Sequence, residues 1–134
     1  MLPVVIPEFT VESRPFWDGL AEGYLRLQRC ADCDAVVWYP RGLCPQCGSV
    51  SLLWFTASGR GAVYSFTVVR RTAGPYAAVT PYVVAYVELA EGPRVLTNVV
   101  DCGPELMHID QPVECVFDAG DDGRALLRFR PVIS

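Results

Sequence analysis

Cys30, Cys33, Cys44 and Cys47 stand as C-x₂-C-x₁₀-C-x₂-C, a spacing in which two tight turns each aim a pair of sulfurs at one point. Two such knuckles close a tetrahedron of thiolates, the donor set of structural Zn²⁺ sites. Gly48, behind the second knuckle, permits the left-handed conformation that turns backbone N–H groups toward the sulfurs. Asp34 holds the matching place behind the first knuckle and visits that region more readily than most residues. Four thiolates suit iron as well; the short loop between the knuckles favours zinc. A site filled by four protein ligands leaves no open position for substrate. The metal is therefore expected to fold the chain, with an apparent binding energy of ~10–16 kcal/mol in comparable small sites, and to take no part in catalysis. Two disulfides would need an oxidising compartment, and the first residues lack the basic and apolar regions of a secretory signal. The reading is a metal site in a reducing cytoplasm.

Other chemistry is sparse. Acyl transfer or C–C cleavage needs a nucleophile with a base, or an acid/base beside the breaking bond, and no such set is found, so no catalytic residue is assigned. His108 is the only histidine and has no serine or cysteine close by in sequence; it reads as a surface or helix-end residue. Cys115, in phase with Val113 and Phe117, reads as a buried thiol. Cys102 precedes Gly103-Pro104 and marks a turn; a bridge from it to Cys115 stays open from sequence but is disfavoured in a reducing cytosol. The loop 72–81 is long for a hairpin connection, carries Gly74-Pro75-Tyr76 and follows Arg70 and Arg71. It is read either as a rim that meets a partner or the phosphates of a coenzyme, or as an ordinary surface loop. Arg60, between Gly59 and Gly61, either approaches an anion or braces a junction.

The elements that must position these residues fall into two parts, 1–57 and 58–134. A short helix over 10–22, with Ser13 as N-cap and Pro15 in the first turn, presents Phe16, Trp17 and Leu20 on one side. It is too short to stand alone, so Phe16 and Trp17 pack on this chain or on a partner. Strands over 24–29 and 36–39 form the arms of a ribbon around the knuckles, with Trp38, Tyr39 and Trp54 covering the metal. After Ser58 the pattern turns to alternation. In the first of these strands Ala62, Tyr64, Phe66 and Val68 share one face, with Ser65 and Thr67 on the other. Strands Tyr82–Leu89 and 94–100 are joined through Glu91-Gly92-Pro93, and 113–118 and 125–132 through Gly120 to Gly123; a short helix over 104–108 interrupts the series. Five short strands suit a small Greek-key barrel of the oligonucleotide/oligosaccharide-binding (OB) type better than a sandwich. The fold class is mainly β: an N-terminal helix and a zinc ribbon, followed by a five-stranded OB-type barrel.

Composition narrows the function. The chain has 134 residues and a formal net charge of −4, to which a tetrathiolate zinc would add about two negative charges. The arginines lie scattered among acids and no lysine occurs, so the basic face of a nucleic-acid binder is missing. The longest apolar run, Tyr82 to Val87, falls far short of the ~20 residues of a spanning helix, and no membrane association is expected. The many Ala, Gly and Arg residues suggest a high-GC genome.

With ribbon and barrel in hand, the order of motifs resembles the family catalogued as domain of unknown function 35. The stretches that carry the resemblance are Arg14-Pro15-Phe16-Trp17-Asp18-Gly19-Leu20, Leu27-Gln28-Arg29-Cys30-Ala31-Asp32-Cys33 and Pro40-Arg41-Gly42-Leu43-Cys44-Pro45-Gln46-Cys47-Gly48. In the barrel half they are 58–67 and 81–89. One departure is Asp110, where the family tends to place Gly. The resemblance implies a rubredoxin-like zinc ribbon joined to an OB barrel, acting as accessory subunit of thiolase-superfamily enzymes that handle acyl-CoA thioesters. Members occur free or fused to MaoC-like hydratase domains. Among the partner types, a thiolase-like aldolase that cleaves steroid side chains by retro-aldol chemistry is favoured. Residues expected to meet the partner or coenzyme A are Phe16, Trp17, Arg60, Arg70, Arg71 and Tyr76. Competing readings are a single-stranded nucleic-acid binder, since barrel and ribbon recur together there, and a rubredoxin-like electron carrier.

Overall fold

The computed structural model describes residues 2–132. Helix α1 spans Arg14–Glu22, with Pro15 in its first turn. It begins four residues later than expected because 11–13 form only a turn. Ser13 holds the N-cap position without capping: its backbone is already helical, and its hydroxyl donates back to the Thr10 carbonyl at 3.1 Å. The helix stops at Gly23, whose φ of 89° is open to glycine; Gly23 and Tyr24 then donate to the carbonyls of Leu20 and Gly19.

Three strands make the ribbon sheet: β1 Arg26–Cys30, β2 Val36–Val37 and β3 Leu52–Thr56, in the order β2-β1-β3. The third is absent from the sequence reading, although Leu52-Leu53-Trp54-Phe55-Thr56 is an apolar run bounded by turn residues. The second arm is shorter than expected. After Val37 the chain leaves the sheet, and Arg41 is clamped by the buried Gln28, whose amide donates to its carbonyl at 2.9 Å and accepts from its N–H at 3.0 Å.

Five strands close the barrel: β4 Arg60–Val69, β5 Tyr82–Leu89, β6 Arg94–Val99, β7 Pro112–Ala119 and β8 Ala125–Pro131, in the order β4-β5-β6-β8-β7. All neighbours are antiparallel except β6 and β8, the parallel pair that completes an OB barrel. Within β4 the expected facing of side chains is corrected. A bulge shifts the register between Val63, opposite Val87, and Ser65, opposite Tyr86. One extra residue reverses the alternation, so Val63 is fully buried while Tyr64 is 48 % exposed. The short helix expected over 104–108 is a single 3₁₀ turn, Pro104–Leu106, and His108 lies beyond it.

Ribbon, helix and barrel share one core. Phe16 and Leu20 of α1 and Leu25 and Leu27 before and in β1 belong to the same buried cluster as Val63, Val87, Val113 and Phe129. No helix among the described residues is long and apolar enough to cross a membrane.

Candidate metal centre and rim

The two knuckles are built alike. In the first, the N–H of Asp34 donates to the Cys30 carbonyl and the N–H of Cys30 to that of Ala35; in the second, Gly48 bonds to Cys44 and Cys44 to Ser49, all at 2.8 to 2.9 Å. This repeat needs a left-handed residue behind each pair, and Asp34 (φ 65°) and Gly48 (φ 77°) both adopt it. The knuckles are tied to each other where Ser49 Oγ donates to Asp32 Oδ2 at 2.5 Å. The four sulfurs all lie within 4.8 Å of one another, with Cys30 to Cys47 at 3.6 Å and Cys33 to Cys44 at 3.5 Å. A Zn–S length of about 2.3 Å puts the edges of a tetrahedron at roughly 3.8 Å, so the donor set fits.

The electrostatics fit as well. The N–H of Cys33 is the largest influence on the Cys30 thiol, which is held down at about 6. Cys33, although the N–H of Ala35 lowers it, is pushed up to about 12 by its proton-sharing neighbours, Cys44 foremost. Thiols this close cannot ionise together unless a cation neutralises them.

The other candidates are dispersed. Phe16 is 2 % exposed, and its ring meets Trp17, Trp38 and Tyr39 edge-on at centroid distances of 5.2, 5.2 and 5.9 Å. It is thereby removed from the set of surface contacts, because the helix turns it into the shared core. Trp17 is half-buried; its indole N–H donates to the Tyr39 hydroxyl at 2.9 Å, and its ring stacks on Phe9. Trp38 and Tyr39 thus cement helix to ribbon. Arg60 is exposed at the start of β4 and lines a cleft of about 330 Å³ between ribbon and barrel, with Ser58, Gly59, Glu114 and Cys115. Cys115, expected from the sequence to be buried, is only half-buried in this cleft; that partial burial pushes its thiol up to about 12. Arg70 and Arg71 are exposed just past the end of β4. The loop after them holds a 3₁₀ helix, Gly74–Val79, with no buried residue; Tyr76 stacks obliquely on Tyr82 at 5.2 Å. His108 is exposed, its Nδ1 3.3 Å from the Leu106 carbonyl.

One residue escaped the sequence reading altogether. Arg128, one of the arginines scattered among acids, is 1 % exposed. The one signal in the sequence is Leu126, an apolar residue two positions earlier and so on the same strand face.

A tetrathiolate ribbon packed on a closed OB barrel defines a zinc-ribbon and OB-fold protein. Comparison with known proteins agrees. Residues 17–52 match the family described as "ChsH2, rubredoxin-like zinc ribbon domain", and residues 54–118 match "ChsH2, C-terminal OB-fold domain". A "DUF35 domain-containing scaffold protein" of Methanothermobacter thermautotrophicus is 36 % identical over 115 residues, 80 % of this chain and 85 % of the relative. The chain belongs to the DUF35 family. A solved chain of the "Ltp2-ChsH2(DUF35) aldolase" superposes with a TM-score of 0.86 at 34 % identity, covering 96 % of this chain and 100 % of the other. Two longer relatives are similar over part of their length. A "Probable enoyl-CoA hydratase alpha subunit" of Thermomonospora curvata is 39 % identical over 88 % of this chain and 37 % of its own. For a "3-oxo-4,17-pregnadiene-20-carboxyl-CoA hydratase alpha subunit" of Mycobacterium tuberculosis the figures are 35 %, 83 % and 35 %. The chain therefore spans little more than a third of these two relatives.

Proposed function

We propose that this chain is a zinc-binding accessory subunit or domain, non-catalytic by itself, that docks on a thiolase-superfamily partner and supports acyl-CoA chemistry. The partner reaction put forward is retro-aldol C–C cleavage of a CoA thioester by a thiolase-like aldolase in steroid side-chain degradation. The observation that carries this reading is the likeness, over nearly the whole chain, to the DUF35 chain of an aldolase at 34 % identity. The pregnadiene-carboxyl-CoA name of one relative lends support to a steroid substrate.

In this reading Cys30, Cys33, Cys44 and Cys47 hold one Zn²⁺, which cross-links the two knuckles and leaves the chemistry to the partner. The ribbon module ends at residue 57 and the barrel begins at 58. Trp17, Arg60, Arg70, Arg71 and Tyr76 face the partner or the phosphates of coenzyme A, the arginines by charge-assisted hydrogen bonds. The hydratase names of the longer relatives support association or fusion with a MaoC-like hydratase domain. The complex works in the cytoplasm.

The test is co-expression with a thiolase-like aldolase encoded beside this chain, followed by size-exclusion chromatography and an assay with a steroid side-chain CoA thioester. A stable complex, active only with both chains present, is expected. Separate peaks with a fully active lone partner would refute the proposal.

A further inference from the structure

Arg128 lies on the outer face of β8, since its neighbour Phe129 fills the barrel at 0 % exposure. An outward arginine is ordinarily solvated; this one is roofed over. Its Nε donates to Asn98 Oδ1 on β6 at 3.4 Å, and its Nη1 pairs with Asp118 on β7. Its Nη2 donates to the Pro3 carbonyl at 2.6 Å and to the Tyr76 hydroxyl at 2.9 Å. Tyr76 in turn donates to Pro3 at 3.2 Å. One planar fork thus ties two barrel strands, the N-terminal segment and the loop 72–81.

A buried ion pair is no cheap source of stability, because apolar residues of similar volume do as well or better. What a guanidinium adds is geometry: its donors lie in one plane and fix every acceptor they reach. The loop needs such fixing. None of its 3₁₀ residues is buried, and its side-chain hydrogen bonds to the rest of the fold, among the described residues, all run through the Tyr76 hydroxyl.

We propose that Arg128 is the positioning residue of the rim: through Tyr76 it holds the loop 72–81, and with it Arg70 and Arg71, in the conformation that engages the partner. The inference rests on the reading of that rim as a contact surface. Arg128 itself touches neither partner nor coenzyme.

Two variants test it. Arg128→Lys keeps a cation opposite Asp118 but loses the fork; Tyr76→Phe removes only the hydroxyl. Amide exchange of the free chain should rise about tenfold or more in 72–81 and in 3–9, with the barrel strands and zinc content unchanged. Affinity of the same variants for the thiolase-like partner should fall about tenfold. Exchange that stays unchanged in 72–81, or rises equally throughout, would overturn the proposal by reducing Arg128 to general stability. Arg70→Ala with Arg71→Ala separates the two levels. If that pair weakens the complex while Arg128→Lys and Tyr76→Phe do not, the positioning role is overturned. If the pair binds as the wild type does, the rim reading fails, and the exchange data still decide whether Arg128 holds the loop.

Discussion

Asp34 and Gly48 occupy equivalent places behind the two knuckles, both left-handed, and the difference between them is testable. Asp34→Gly is expected to be tolerated, since its exposed pair with Arg29 at 3.3 Å contributes little. Asp34→Val should cost about 1–3 kcal/mol, because a β-branched residue is strained at that φ; chemical denaturation of zinc-loaded protein measures both. Cys115 offers a second test. Partial burial pushes its folded thiol up from an ordinary 9 to about 12. Below pH 9 both states keep the proton and the group contributes nothing. Between 9 and 12 the unfolded thiol ionises while the folded one does not, so stability falls with rising pH by up to about 1.4 kcal/mol per pH unit. Denaturation midpoints across this window should be flatter in Cys115→Ala than in the wild type. A parallel pair of curves would show that the thiol is not desolvated.

At the scale of elements, the close pairing of β4 and β5 depends on Gly61. A Cβ there would stand 2.6 Å from the Glu88 carbonyl oxygen and 2.8 Å from Val87 Cγ1, both on the strand it pairs with. Gly61→Ala should destabilise by about 1–3 kcal/mol through forced separation of the strands. Gly42→Ala, with nothing within 4 Å of the added atom, serves as the control and should change the melting temperature little. The bulge in β4 belongs to this scale as well: the strand itself is legible from its apolar residues, but the extra residue that turns Tyr64 outward is set by pairing with β5. For β3 the apolar run is in the sequence, but its pairing with β1 is decided only by the fold.

For the whole molecule, the joint core of helix, ribbon and barrel predicts that metal and fold stand together. Phe16, Leu20, Leu25 and Leu27 pack in one cluster with the barrel's valines, so loosening the ribbon uncovers barrel surface. Removal of zinc by a strong chelator, or Cys44→Ser, is expected to lower the melting temperature of the entire chain in one cooperative transition. Two separate transitions, with the barrel unmoved, would show independent modules.

The metal tetrad, the knuckle turns and the count of barrel strands were legible from the sequence, because each is written in short-range terms: ligand spacing, a glycine or aspartate behind a turn, alternation along one strand. Phe16 and Arg128 were not. Whether a ring on a nine-residue helix faces a partner or its own core depends on where β2 and the aromatic pair Trp38 and Tyr39 arrive. Whether an arginine on a strand is solvated depends on Pro3, Tyr76, Asn98 and Asp118, which meet only when the barrel closes. The sequence by itself determined which metal-binding chemistry the chain carries and the elements that frame it. Only the tertiary structure decided which charges and aromatics are exposed, since burial is set by contacts between residues far apart along the chain.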